Sequence, residues 1–293
     1  MGVFLRVIAA ALGLALLAGF AGALHPAGDS LAVFRVPLLV LLALAVLWSD
    51  LTRRLRWPLV ALALAGLAPH LPMPKQTPPA AHPGDLTIVQ QNLLWNRTEW
   101  DDWLEMITRI PPDVLLLQEV SSANLVMLDR LAELYPYRLH CPAFQVGEAV
   151  LTRLPPVAGR ALCSKPDGIA ALQVETSAGP VWMVSLHIPW PWPYPQAEQV
   201  TGILPDLRRL DGPVVLGGDF NSVGWSHTLR RIEAATGSRR IGPYTHTFSL
   251  PYLGLPIGID HILAPPGSGF DLRVTPRLGS DHRGQWVRLQ LPN

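Results

Sequence analysis

"VVLGGDFNS", residues 214–222, runs an apolar strand into two glycines, an acid and, two positions later, an amide. Side chains alternate along a strand, so Asp219 and Asn221 are expected on one side of a strand end. Gly217 and Gly218 let the backbone turn there or come close to another part of the chain. Asp and Asn are also ordinary turn residues. The rest of the chain gives this stretch its meaning.

Around it, strand and helix signals alternate from Leu86 to the C-terminus. "LTIVQQN", "DVLLLQEV", "EAVLTR", "IAALQVET", "VWMVSLHI", "IDHILA", "FDLRVT" and "GQWVRLQL" read as strands. "RTEWDDWLEMITRI" has Trp100, Trp103, Leu104 and Ile107 at helical spacing, with Thr98 as its expected N-cap. "SANLVMLDRLAEL" and "SHTLRRIEAAT" are further helices, and a helix over Tyr194–Leu210 is expected to kink or split at Pro205. Runs apolar on both faces, mixed with hairpin-like pairs, indicate a mixed-sheet α/β domain.

Polar residues interrupt these strands at their ends. Asn92 ends the first and Glu119 the second; His187 ends "VWMVSLH". Asp219 and Asn221 end "VVLGGD", Asp260 and His261 open "IDHILA", and Asp281 and His282 precede the last strand. Strand ends are where an α/β sheet places its binding crevice. Several carboxylates and an Asn with no Cys ligand suit a hard divalent cation, Mg²⁺ or Mn²⁺. His beside carboxylate suits proton transfer or contact with an anion. Together these groups fit metal-assisted attack of water on a phosphate ester.

The order N…QE…H…GDFN…DH…SDH resembles the endonuclease/exonuclease/phosphatase superfamily, the DNase I-like fold, over Leu86–Asn293. "LLLQEV", "LGGDFNS", "IDHILA" and "GSDH" carry the likeness. It implies a four-layer α/β sandwich of two mixed β-sheets flanked by helices. By the same resemblance Glu119 matches the principal metal ligand, Asn92 helps to build that site, and Asp281 lies beside the metal. Asp219 matches the residue that orients or deprotonates water. Asn221 and His187 match groups that hold phosphate oxygens. His282 matches the phosphate-facing His, polarised by Asp260. His261 follows Asp260 on a strand and is expected on the opposite face. Some family nucleases carry an acid two residues after the first Asn; here that position is Leu94, so an extra ligand from that strand is missing.

The front of the chain differs in composition. Of 293 residues, 49% are hydrophobic and only 15% charged, and the apolar excess is concentrated N-terminally. Residues 7–24, 31–48 and 57–73 are almost free of charge and read as two to three transmembrane helices, the third marginal in length. A cleaved signal peptide competes for the first segment, but the apolar segments behind it would keep the protein in a bilayer. Arg53, Arg54 and Arg56 fall between segments two and three, whereas "HPAGDS" between one and two holds no basic residue. The positive-inside rule places the Arg loop in the cytoplasm, and a spanning third segment then puts the remaining chain outside.

The front end resembles bacterial members anchored to the inner membrane. The expected organisation is a membrane anchor over 1–73, a Pro-rich linker over 74–85 and a catalytic domain over 86–293. Cys141 and Cys163 lie in no zinc-type pattern. Two buried thiols and a disulfide both fit them. A disulfide would suit an oxidising compartment, and on the outer side the two are expected to bond to each other.

Substrate class is less legible. From Lys75 onward 18 Lys/Arg face 20 Asp/Glu, which is no basic footprint for nucleic acid. Trp190, Trp192 and Tyr194 follow His187 in a Pro-stiffened loop, where rings could stack on bases or enter a membrane interface. Three readings stand: a membrane-anchored phosphodiesterase acting on a phosphate ester such as nucleic acid; a lipid-directed enzyme of sphingomyelinase or phosphoinositide-phosphatase type; and a non-catalytic membrane scaffold that keeps the fold. The intact set of candidate catalytic residues disfavours the third.

Overall fold

The computed structural model describes residues 2–70, 79–143, 146–165 and 167–292. Four helices come first: α1 (Gly2–Ala18), α2 (Ala27–Val33), α3 (Arg35–Leu47) and α4 (Arg53–Ala65). The catalytic part follows as β1 (Leu86–Asn92), α5 (Asp101–Arg109), β2 (Val114–Val120), α6 (Ser122–Leu128), β3 (Tyr137–Cys141) and β4 (Gly147–Thr152). It continues with β5 (Pro156–Cys163), β6 (Ile169–Thr176), β7 (Gly179–His187), α7 (Gln196–Arg208), β8 (Val214–Asp219) and α8 (His227–Thr236). It closes with β9 (Arg239–Arg240), the short hairpin β10 (Phe248–Ser249) and β11 (Pro256–Ile257), β12 (Asp260–Ala264), β13 (Gly269–Val274) and β14 (Gln285–Gln290).

Two six-stranded mixed sheets result, in the orders β13-β14-β1-β2-β4-β3 and β5-β6-β7-β8-β12-β9. Each is centred on a parallel pair joined by a helical crossover, β1–α5–β2 in one and β7–α7–β8 in the other. Alternation decides the layers. Ile88, Val114 and Leu116 face inward and meet Val174, Met183, Val215 and Ile262 of the second sheet. Val89, Leu115 and Leu117 face outward under Trp103 and Ile107 of α5, and Val184 and Leu216 face outward under Leu204 of α7 and Leu229 of α8. The helix/sheet/sheet/helix sandwich expected from the sequence is therefore present. A disulfide between Cys141 of β3 and Cys163 of β5 joins the edges of the two sheets.

Local expectations change in three places. Helix α5 starts at Asp101 after Trp100, and no side chain caps it; Thr98 lies too far upstream. Helix α7 runs through Pro205 without splitting, because a proline one turn from the C-terminus forfeits a single hydrogen bond, to Thr201. Gly217 and Gly218 serve sheet packing: a Cβ on Gly217 would press Leu116 and Gln90 of the facing sheet, and one on Gly218 would collide with the Leu186 backbone.

The N-terminal helices form an antiparallel bundle. Arg6 of α1 pairs with Asp50 beyond α3 at 2.7 Å, and Arg56 of α4 donates to Ser49 and Leu51 carbonyls at the same end. At the opposite end Arg35 donates to the Gly19 carbonyl, and Gly66 after α4 approaches Leu39. The apolar segments are not three straight helices with the expected bounds. The first helix stops before Gly19, and the second segment is bent by 70° at Phe34. Pro37, with no N–H to donate to Val33, favours a fresh start there. The third helix begins at Arg53, so the three arginines of the expected loop fall in its first turn. Among the described residues no single helix is long and apolar enough to cross a membrane; only α2 and α3 together reach that length.

The first five residues of the expected linker, 74–78, and the end of the third apolar segment lie outside the described residues. Its remainder is held to the last strand, with Asp85 paired to Arg288 at 2.9 Å.

Candidate active site

The two crossover units end side by side and bring their terminal polar residues across the gap between the sheets. Asn92, at the end of β1, is fully buried. Its Nδ2 donates to Glu119 Oε1 at 2.9 Å and to Asp219 Oδ2 at 3.1 Å, so one amide links a carboxylate of each sheet. Leu94 N donates to Asn92 Oδ1 at 3.0 Å and fixes which way the amide faces.

Glu119 reaches this point through a backbone irregularity. Strict alternation would send an odd-numbered β2 side chain outward with Leu115 and Leu117. A register shift between Leu117 and Val120, with φ of +54° at Glu119, turns it toward Asn92. Its other oxygen accepts from Trp95 N at 2.9 Å.

In the second sheet His187 and Asp219 lie abreast on parallel strands, and Asp260 of antiparallel β12 sits directly opposite Asp219. Asp219 Oδ2 is 3.7 Å from both His187 Nε2 and His282 Nε2. Burial pushes the Asp219 carboxyl up to about 7. Asn221 shares the site for a different reason than strand alternation. The strand ends at Asp219, and Asn221 takes φ of +44° in a tight turn. Its N donates to Asp219 Oδ1 at 2.8 Å and its Nδ2 to the Ile188 carbonyl at 2.9 Å.

Asp260 Oδ2 and His282 Nδ1 are 2.9 Å apart and buried. Burial alone would lower the His282 imidazole, but the charges of Asp260 and Asp219 outweigh it and raise it to about 10. Burial would likewise raise Asp260, yet the His282 charge and hydrogen bonds hold it below the ordinary carboxylate range. Asp281 is exposed, and among the described residues no hydrogen bond or ion pair ties it to Glu119; its charge adds to the cationic bias of His282. His261 points to the other face of β12, with Nε2 2.8 Å from the Ser222 carbonyl, and burial lowers it to about 4.

Three neighbours were not singled out from the sequence. Glu148 of β4 is buried, 3.9 Å from His187 Nδ1, and burial pushes its carboxyl up to about 8. Its signal was an acid opening the otherwise apolar strand "EAVL". Gln90 donates from Nε2 to Asp260 Oδ1 at 3.1 Å and to Gln118 Oε1 at 2.8 Å, and Gln118 donates to Ser185. Two glutamines on the inward face of buried strands were the sign of such a network. Phe248 packs its ring 4.7 Å from that of His282; nothing in the sequence marked it.

The donor set fits a divalent cation. Glu119, Asp219 and Asp260 converge on one amide and one cationic imidazole, all oxygen and nitrogen donors with no thiol. Burial raises Asp219 far above an ordinary carboxyl despite the nearby His282 charge, so an added cation would favour its ionised form. Glu119 and Asn92, with Asp219 adjacent, are the residues that would hold the ion.

A mixed double sheet with carboxylates, amides and a His–Asp pair at its strand ends defines a metal-dependent hydrolase of phosphate esters. Residues 89–282 match the endonuclease/exonuclease/phosphatase family, and the chain belongs to it. No curated protein sequence matches. Among solved structures, zebrafish (D. rerio) TDP2 complexed with single-strand DNA product aligns with TM-score 0.58 and 16% identity, over 71% of this chain and 100% of that one. A Leptotrichia buccalis endonuclease/exonuclease/phosphatase family protein aligns at 0.56 and 17%, over 70% and 100%. Staphylococcus aureus beta toxin aligns at 0.52 and 13%, over 69% and 99%. At these identities the likeness is one of fold.

Proposed function

We propose that this protein is a membrane-anchored phosphodiesterase that uses Mg²⁺ or Mn²⁺, with its catalytic domain on the outer side of the membrane. The observation that carries the catalytic reading is the Asn92 amide joining Glu119 and Asp219 beside the Asp260–His282 pair. The bound cation supplies Lewis-acid polarisation of the phosphoryl group and neutralises charge that develops on it. Asp219, raised to about 7, is suited to take the proton of the attacking water. His282, raised to about 10, stays cationic at neutral pH and faces the phosphate as a fixed positive charge, oriented by Asp260. Asn221 and His187, beside Asp219, are placed to contact phosphate oxygens. The water oxygen joins phosphorus, the bond to the alcohol oxygen breaks, and that oxygen is protonated from solvent.

Turnover of bis-p-nitrophenyl phosphate by the full chain in detergent tests this reading. Mg²⁺-dependent release of nitrophenol that stops in EDTA is expected; no turnover with any divalent ion overturns it.

The bundle supports the topology. Arg6, Arg53, Arg54 and Arg56 gather at the end marked by the Arg6–Asp50 pair, and the catalytic domain touches the other end. With the basic end cytoplasmic, the domain lies outside, in the periplasm if the host is a Gram-negative bacterium. There the Cys141–Cys163 bond would persist. Helix α1, of 17 residues, covers about 26 Å at 1.5 Å rise per residue, so a spanning role requires local thinning or flanking residues. A reporter active only outside the cytoplasm, fused after the C-terminus, is expected to be active. An inactive reporter, with both cysteines free to alkylation in intact cells, contradicts this topology.

A further inference from the structure

The helical bundle does more than tether the domain; its end forms part of the wall beside the active site. Ala32 and Val33 of α2 lie in one apolar cluster with Phe248, Ile257 and Ile259, flanked by Trp190 and Trp225. Phe248 packs on His282, so a single ring separates this contact from the phosphate-facing imidazole. The junction is also pinned by polar contacts. Buried Asp29 accepts from His227 N at 2.6 Å and Thr228 N at 2.8 Å, the first turn of α8. Trp225 Nε1 donates to the Ala32 carbonyl at 2.9 Å, Ser30 donates to the Trp192 carbonyl, and the His70 ring packs tilted against Trp225 with centroids 4.1 Å apart. These links come from α2 and from His70 beyond the end of α4. They hold the catalytic domain at one height and one tilt over the bundle.

The rim at this junction is apolar and exposed. The hairpin that begins with Phe248 carries Tyr252, fully exposed, and Leu253, 71% exposed, at its tip. Trp192 and Tyr194 are exposed on the loop after His187. On the bundle, Phe20 and Leu24 are exposed at the same end, where His25 lies against Trp192 with ring centroids 6.1 Å apart. Single exposed apolar side chains need no explanation, but large ones on three segments joined by the Trp190–Phe248 and His25–Trp192 contacts mark an interaction face. Aromatic rings at the end of an apolar bundle are what the headgroup layer of a bilayer accommodates. The balance of 18 basic and 20 acidic residues from Lys75 onward offers no electrostatic drive toward nucleic acid.

We infer that the substrate is a phosphodiester lipid of the bilayer that holds the bundle, presented to an active site fixed at the membrane surface by the α2–hairpin contact. The inference rests on the membrane-anchored phosphodiesterase reading and adds the source of the substrate. Because the domain cannot tilt freely, it draws lipid from its own membrane rather than from another.

The test uses the full chain in nanodiscs of phosphatidylethanolamine and phosphatidylglycerol with Mg²⁺, lipid loss being read by phosphorus NMR and mass spectrometry. Plasmid DNA and bis-p-nitrophenyl phosphate run in parallel. Lipid of the protein's own disc is expected to be hydrolysed at least tenfold faster than labelled lipid supplied in empty discs. Tyr252→Ser with Leu253→Ser, outside the catalytic residues, is expected to slow own-disc lipid hydrolysis at least tenfold and leave bis-p-nitrophenyl phosphate turnover within twofold. If that variant loses turnover of both, the own-disc versus empty-disc ratio of the unaltered chain decides alone. Intact lipid alongside cleaved nitrophenyl ester or plasmid overturns the inference and leaves the phosphodiesterase reading standing. Loss of turnover on every substrate strikes that reading itself.

Discussion

Replacing Asp260 by Asn keeps the shape of the buried pair and removes its negative charge. His282 is held at about 10, against an ordinary 6.5. At 1.36 kcal/mol per pKa unit that difference is roughly 5 kcal/mol in favour of imidazolium, and Asp260 at 2.9 Å is the foremost contributor. With that charge gone, burial opposes the cation and only the charges of Asp219 and Asp281 still favour it, so His282 is expected to titrate well below 10, toward the ordinary imidazole range. At pH 8 an imidazole of pKa 6.5 is protonated in only about one molecule in thirty, so turnover there is expected to fall about 30-fold. Asp219 loses the raising charge of Asp260 and, where His282 has become neutral, also the larger lowering charge of that imidazolium, so the acid limb is not expected to move to lower pH. The assay is the pH–rate profile of nitrophenyl-diester hydrolysis from pH 5 to 10 at saturating Mg²⁺. The unaltered chain is expected to lose activity at acid pH as Asp219 is protonated, below the metal-free value of about 7 because the cation favours the carboxylate, and to hold activity toward 10; Asp260→Asn is expected to lose the alkaline part of that plateau. Superimposed profiles, with chemistry shown to limit the rate, would refute the pairing as the source of the cation.

Glu148 is pushed up to about 8 from 4.5, so it binds its proton more tightly folded than unfolded. Its contribution to stability is complete below pH 4.5 and lost as pH rises through about 8; the urea midpoint in EDTA should fall across that window, and Glu148→Gln should flatten the fall. The disulfide closes a separation of 22 residues. The chain-entropy relation gives roughly 3 kcal/mol for a loop of that length, so Cys141→Ser with Cys163→Ser should lower the denaturation free energy by about that amount; an unchanged midpoint refutes it.

The layers were legible because burial on both sheet faces leaves uninterrupted apolar runs, and the site because acids and amides at the ends of such runs have few structural uses. What was not legible depends on geometry between segments. Glu119 is a strand-end acid by sequence, but a bulge and a positive φ decide that it faces Asn92. Asn221 meets Asp219 through a turn, where an alternating strand was expected. Glu148 belongs to a strand paired with β2, and only the approach of the two sheets brings it to His187. Of the two uses the glycine pair offered, a turn and a close approach, only geometry between segments selects the second, the close passage of Leu116 and the Leu186 backbone. The N-terminal segments read as an anchor hung on a linker; their contact with Trp225, Phe248 and α8 has no local pattern to announce it.

The central claim is that Glu119, linked through Asn92 to Asp219, holds the cation on which phosphodiester hydrolysis depends. The direct test is the initial rate of bis-p-nitrophenyl phosphate hydrolysis as a function of Mg²⁺ for the unaltered chain and for Glu119→Gln, which keeps the shape and removes the charge. The unaltered chain is expected to saturate with Mg²⁺ and to stop in EDTA. Glu119→Gln is expected to lose at least a hundredfold, with little rescue by higher Mg²⁺ or by Mn²⁺. Full activity of either protein in EDTA, or an unchanged Mg²⁺ dependence in Glu119→Gln, would contradict the account.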